Sequence, residues 1–134
     1  MLKRGARYLR SRPRVVHLFP RQNAISRLDV WSDADYAGCL RIRKSTSGYY
    51  IRFGNATTKT NCKSQAVIAL SSGEAEFYGL RIAACNALGE QSVLKDWGIL
   101  LPIQCWMDAN TGLSIALRHG LGRVKHVDTV YLWV

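Results

Sequence analysis

The chain has 134 residues, a length that suits one domain with a single core. Its 48% hydrophobic content is globular rather than disordered, and no apolar run approaches the ~18 residues that would span a membrane. Nineteen Lys and Arg against nine Asp and Glu give a net charge of +10 and a pI near 9.9, which favours a polyanionic partner such as nucleic acid.

Residues 1–27 carry eight of the basic residues and no acid. Residues 1–12 read as a helix with Leu2, Ala6 and Leu9 on one side, ended by Pro13. This start fits either a transit peptide or a basic amphipathic helix. Residues 13–27 read as a loop or a short strand around Val15–Phe19. Residues 28–34 alternate as a strand, and residues 36–47 form a basic turn containing Arg41, Arg43 and Lys44. Residues 48–54 and 56–62 are two further strands, joined as a hairpin through Gly54-Asn55. A long helix follows, capped by Ser71 or Ser72 with Glu74 at capping-box spacing from Ser71, and ending near Gly89 or Asp96. Pro102 opens a fourth strand over 103–108, a second helix is expected over about 109–119, and the tail at 125–134 reads as helix or strand. A hairpin followed by a crossover predicts an α/β fold with a mixed sheet flanked by helices.

Cys39, Cys62, Cys85 and Cys105 lack the short Cys-x-x-Cys steps of a zinc site, and His17, His119 and His126 show no ligand spacing. No signal-peptide pattern opens the chain, so buried free thiols and an intracellular location, cytoplasmic or nuclear, are expected.

In so basic a chain, acids at strand ends and on an apolar helix face need a reason. Asp33 and Asp35 end the first strand, and strict alternation puts both on one face without deciding between them. Glu74 and Glu76 stand about 200° apart around the helix axis. Glu76 shares its stripe with Leu80, Ala83 and Ala87, the face that must bury, whereas Glu74 goes with Tyr78 and Arg81 on the more polar side and reads as a cap and surface residue. A carboxylate at the core edge costs several kcal/mol unless an ion or partner holds it. Asp108 stands at the carboxyl end of an apolar strand directly before a helix, where α/β sheets place their sites. Alone it would read as a helix cap. Together, Asp33, Glu76 and Asp108 suggest carboxylates gathered at a sheet edge to hold divalent ions.

Several segments resemble the ribonuclease H domain of copia-type LTR retrotransposon polyproteins. They are Ser-Asp-Ala-Asp-Tyr-Ala-Gly-Cys (32–39), Arg-Lys-Ser-Thr-Ser-Gly-Tyr (43–49), Ala-Leu-Ser-Ser-Gly-Glu-Ala-Glu-Phe (69–77), Met-Asp-Ala-Asn-Thr-Gly-Leu-Ser-Ile-Ala (107–116) and Val-Lys-His-Val-Asp (124–128). Leu-Lys-Arg-Gly-Ala-Arg-Tyr-Leu-Arg (2–10) resembles the end of the reverse-transcriptase connection before that domain. The resemblance therefore implies a connection segment at 1–27 and a ribonuclease H-like domain at 28–134. It implies a five-stranded mixed sheet flanked by helices, and Mg²⁺- or Mn²⁺-dependent cleavage of the RNA strand of RNA/DNA hybrids. The family's first three catalytic carboxylates fall on Asp33, Glu76 and Asp108, which favours Asp33 over Asp35.

The family's last strand and its fourth carboxylate would lie beyond the Val-Lys-His-Val-Asp segment, so the domain is expected to be incomplete, and no catalytic role passes to Asp128. By the resemblance, Asp33 would bridge two ions about 3.5–4 Å apart, with Glu76 and Asp108 on either side. Arg41, Arg43 and Lys44 would grip the hybrid backbone or form a solvated loop. Ser71, Ser72 and Asn110 would contact phosphate or simply cap helices. The partners implied are an RNA/DNA hybrid and the reverse-transcriptase portion of the same polyprotein, with no membrane. Two other readings stand beside the nuclease. One is a catalytically impaired remnant that binds nucleic acid through its basic surface. The other is an integrase-like core, disfavoured because such cores place their last acid on a late helix.

Overall fold

The computed structural model describes residues 2–14 and 16–108, together with Ser114 and Leu117. Among the described residues the elements run α1 (Leu2–Ser11), β1 (Leu28–Asp35), β2 (Thr46–Phe53), β3 (Ala56–Ser64), α2 (Ser72–Asp96) and β4 (Ile103–Trp106). The strands form one open mixed sheet in the order β3-β2-β1-β4. β1, β2 and β3 pair antiparallel, and β4 joins β1 in parallel. This is the expected α/β architecture, with α2 as the crossover that a parallel pair requires.

Local chemistry explains the elements. In β1, Leu28, Val30 and Ser32 are buried while Asp29, Trp31 and Asp33 alternate to the other face. The hairpin turns where Gly54 takes a left-handed φ of 62°, a conformation that costs glycine nothing. Gln22 clasps this turn: its Nε2 donates to Phe53 O at 3.1 Å, and its Oε1 accepts from Asn55 N at 2.7 Å. The irregular segment before β1 is thereby tied to the sheet. Ser71 caps α2 by accepting from Glu74 N at 3.2 Å. The helix runs on to Asp96, the longer of the two expected ends. It is closed by Ile99 N donating to Leu94 O at 2.9 Å beyond a left-handed Gly98.

One face of the sheet holds the core. Val30, Tyr49 and Ile51 pack against Ala83 and Ala87 of α2, with Ile103 and Cys105 alongside. A second cluster joins Ala69, Ala75, Phe77 and Tyr78, flanked by Ala34 and Val67. Small residues on α2 let the helix lie close. A Cβ on Gly79 would sit 3.3 Å from Ser47 Oγ and 3.7 Å from Asp33 O. Among the described residues no element covers the opposite face.

Some bounds and burials differ from expectation. β2 begins at Thr46, because Thr46 and Ser47 already pair with Asp35 and Ala34. β4 ends at Trp106, its last partner on β1 being Trp31, so Met107 and Asp108 lie past the strand. The four cysteines are free, but they are not buried. Cys62 lies exposed on edge strand β3, Cys85 points outward on α2, and Cys39 and Cys105 are half-buried. The helix expected over 109–119, the tail at 125–134 and Asn110 lie outside the described residues.

Candidate metal centre

Three elements deliver three carboxylates to one end of the sheet. The β1–β4 pairing sets Trp31 opposite Trp106, and two residues further along each chain stand Asp33 and Asp108. Glu76 arrives from the first turns of α2, one helical turn before Gly79, which lies close against Ser47 and the Asp33 backbone. One oxygen from each of Asp33, Glu76 and Asp108 lies within 4.8 Å of the other two. Asp33 and Asp108 are exposed and Glu76 is buried, at 6% exposure.

Glu76 is held by one oxygen only. Its Oε1 accepts from Ala34 N at 3.1 Å, at a level where β4 has already ended. Its Oε2 is buried without a donor among the described residues. Burial pushes the Glu76 carboxyl above the ordinary glutamate range. The Ala34 hydrogen bond pulls it back, and the nearby charges of Asp33 and Asp108 push it up again. Among the described residues none of the three has a Lys or Arg partner; the ion pair there is Arg27–Asp29, at 2.9 Å. A buried oxygen beside two exposed carboxylates, with no Lys or Arg paired to them among the described residues, is a donor set that fits a hard divalent ion.

The neighbouring acids have other tasks. Asp35 follows Asp33 on the same face of β1, but its carboxylate fills the space beside Gly38, where an added Cβ would meet Oδ2 at 1.8 Å. Glu74 corrects the expectation of a surface residue: it is 2% exposed. Its Oε2 accepts from Leu70 N at 3.0 Å, and its Oε1 accepts from the Tyr78 hydroxyl. The cause is the segment before α2, which folds over the helix start. There Gln65 Nε2 donates to Ser47 Oγ at 2.7 Å and to Ala75 O at 2.8 Å. Gln65 carried no signal in the sequence pattern.

The basic loop is divided. Arg41 and Arg43 are exposed, whereas Lys44 is half-buried and donates to Ala66 O. The loop is closed by Arg43 N donating to Cys39 O at 2.7 Å, with Arg43 at a left-handed φ of 54°. Ser71 and Ser72 are both exposed, and the Ser71 hydroxyl serves as the cap of α2.

Comparison with known proteins places this geometry in a context. The chain is 30% identical over 137 residues to the Retrovirus-related Pol polyprotein from transposon RE1 of Arabidopsis thaliana, a match covering 99% of this chain and 9% of that protein. It is 27% identical over 111 residues to the Retrovirus-related Pol polyprotein from transposon TNT 1-94 of Nicotiana tabacum, covering 80% of this chain and 8% of that one. This chain is related to retrotransposon Pol polyproteins. It is also 38% identical over 87 residues to Secreted RxLR effector protein 161 of Plasmopara viticola, covering 65% of this chain and 61% of that protein. The chain thus spans less than two thirds of the length of each of these relatives. No family model matches the sequence, and no solved structure matches the fold.

Proposed function

We propose that this chain is a ribonuclease H-type domain that hydrolyses the RNA strand of RNA/DNA hybrids. The observation that carries the reading is the convergence of Asp33, Glu76 and Asp108 within 4.8 Å. The mixed sheet with its α2 crossover is compatible with a ribonuclease H-like fold, the +10 charge suits a nucleic-acid substrate, and the Pol relatives suit a hybrid-processing role.

Asp33, Glu76 and Asp108 would hold two Mg²⁺ or Mn²⁺ ions, which when bound activate water and offset the charge that develops on a phosphodiester. Glu76 is positioned by Ala34 N, which fixes one oxygen and leaves the other buried without a hydrogen-bond partner among the described residues. Asp33 and Asp108 open to solvent, so a backbone phosphate can approach them directly. Because burial and the two neighbouring acids raise the Glu76 carboxyl above the ordinary glutamate range, affinity for the ion should weaken as pH falls into that range, where a proton competes with the ion.

The test is cleavage of an end-labelled RNA strand in a hybrid with Mg²⁺ or Mn²⁺ against a chelator control. Asp33→Asn, Glu76→Gln and Asp108→Asn should each reduce cleavage to background while leaving hybrid binding in place. Cleavage that survives all three substitutions overturns the assignment. Salt-sensitive binding of the hybrid without cleavage by the unaltered chain would instead support a remnant that only binds nucleic acid.

A further inference from the structure

We infer that the sheet face beside the carboxylates, which no element covers among the described residues, is a site for an unpaired nucleobase; the inference rests on the nuclease reading for its link to catalysis, though not for binding itself. Tyr50, Trp31 and Trp106 occupy matched positions across β2, β1 and β4. Their rings stand as parallel plates. Tyr50 and Trp31 are 4.8 Å apart at 11°, and Trp31 and Trp106 are 6.4 Å apart at 16°. Cross-strand aromatic pairs stabilise a sheet, but a row left in water exposes costly apolar surface. Here Tyr50 is 39% exposed and Trp106 41%.

The row borders a cavity of about 690 Å³ that reaches Asp33 and Asp108, so ring and carboxylates share one space. The floor is low at Gly48, the β2 register partner of Asp33, where an added Cβ would meet only Asn61 O, at 3.9 Å. Cations rim the row. Arg52 lies 5.8 Å over the Trp31 ring and Arg27 lies 5.8 Å over Trp106. Asp29 is already engaged, accepting from Arg27 Nε and Trp106 Nε1 at 2.9 Å each. Arg52 has no carboxylate partner among the described residues.

Flat apolar plates, a rim of guanidinium and a neighbouring anion-handling cluster match a planar base joined to a phosphate. Side chains standing on a sheet reach a base face only when the base has left its duplex. The favoured substrate is therefore a strand with an unpaired nucleotide beside the phosphate at the carboxylates, such as a bulge or a single-stranded junction, rather than an unbroken hybrid.

The experiment uses the full chain in chelator, where no cleavage intrudes. Oligonucleotides carry 2-aminopurine at a bulged position, in a single strand, or fully paired in a hybrid, with RNA and DNA versions of each. Binding should quench the unpaired probe and leave the paired probe unchanged. Tyr50→Ser, and separately Gly48→Val, which fills the cavity floor, should weaken binding of the unpaired probe roughly ten-fold, as expected for losing one stacked base. Both variants should melt as cooperatively as the parent chain, and Trp97→Ala, exposed elsewhere, should bind normally. RNA and DNA probes quenched alike would assign the site to the base; quenching of RNA alone would add the 2′-hydroxyl to what it reads. Absence of quenching, or equal binding by the parent and both variants, overturns the proposal. So does sedimentation showing a dimer that Tyr50→Ser dissociates, since a second copy would then own the face. Quenching without hybrid cleavage supports the base site while removing the nuclease reading, and cleavage without quenching does the reverse.

Discussion

Glu76→Gln should make the metal-free chain more stable, although it removes a proposed ligand. Glu76 stands no more than 4.8 Å from oxygens of Asp33 and Asp108. Two unit charges at that distance repel by about 0.9 kcal/mol in bulk water and about 3.5 kcal/mol at an effective dielectric of 20. Asp33 and Asp108 are exposed, so the lower figure applies, and removing both repulsions yields about 2 kcal/mol. The amide keeps an oxygen for Ala34 N and offers a donor where two carboxylates supply acceptors. For a domain of this size the gain is about 8 °C in Tm. With Mg²⁺ or Mn²⁺ the order should change. At a hundred times its Kd an ion stabilises the parent by about 2.7 kcal/mol, and it should stabilise Glu76→Gln much less. Thermal denaturation of both chains at pH 7.5, in chelator and across a metal titration, reads both effects. A Glu76→Gln chain that melts below the parent in chelator would refute the electrostatic reasoning. Equal metal shifts in the two chains would refute the site.

In chelator, the parent's stability should fall as pH rises above the ordinary glutamate value of 4.5, because folded Glu76 keeps its proton longer than unfolded Glu76; the loss is complete once pH exceeds the raised folded value. The same melting series on Glu76→Gln should lack that slope. Ser71→Ala should cost about 1 kcal/mol in urea denaturation, since Glu74 N loses its cap acceptor at the start of α2. Hybrid binding measured by anisotropy should weaken steeply with salt, and Asp33→Asn should bind at least as tightly as the parent because it removes negative charge facing phosphate. Salt-independent binding would count against a nucleic-acid role.

The carboxylate cluster was legible where a one-dimensional pattern maps onto one face. Glu76 betrayed itself by sharing a stripe with Leu80, Ala83 and Ala87, all buried. Asp33 and Asp35 could not be separated by a period of two; the choice lies in where α2 crosses the strand and where Gly38 makes room. Glu74 was misread because its cover comes from Gln65 and the turn before the helix, which no helical wheel contains. The aromatic row was invisible for a similar reason. Trp31, Tyr50 and Trp106 are ordinary strand residues until the register aligns them. The hairpin was plain because Gly54-Asn55 announces its own turn, whereas the early end of β4 depends on how far its partner strand reaches.

The parallel pairing between β1 and β4 also sets a timetable. The antiparallel contacts of β1, β2 and β3 join neighbours in the chain and close over short loops. Leu28 meets Ile103 only after the hairpin and all of α2 lie between them. Long closures are the slow ones in folding. Asp33 is therefore in its strand well before Asp108 arrives beside it. A chain still emerging during synthesis, or one that has opened at β4, carries its acids apart. If these acids cut RNA, the reaction is withheld until β4 docks against β1, and local unfolding of β4 switches it off again.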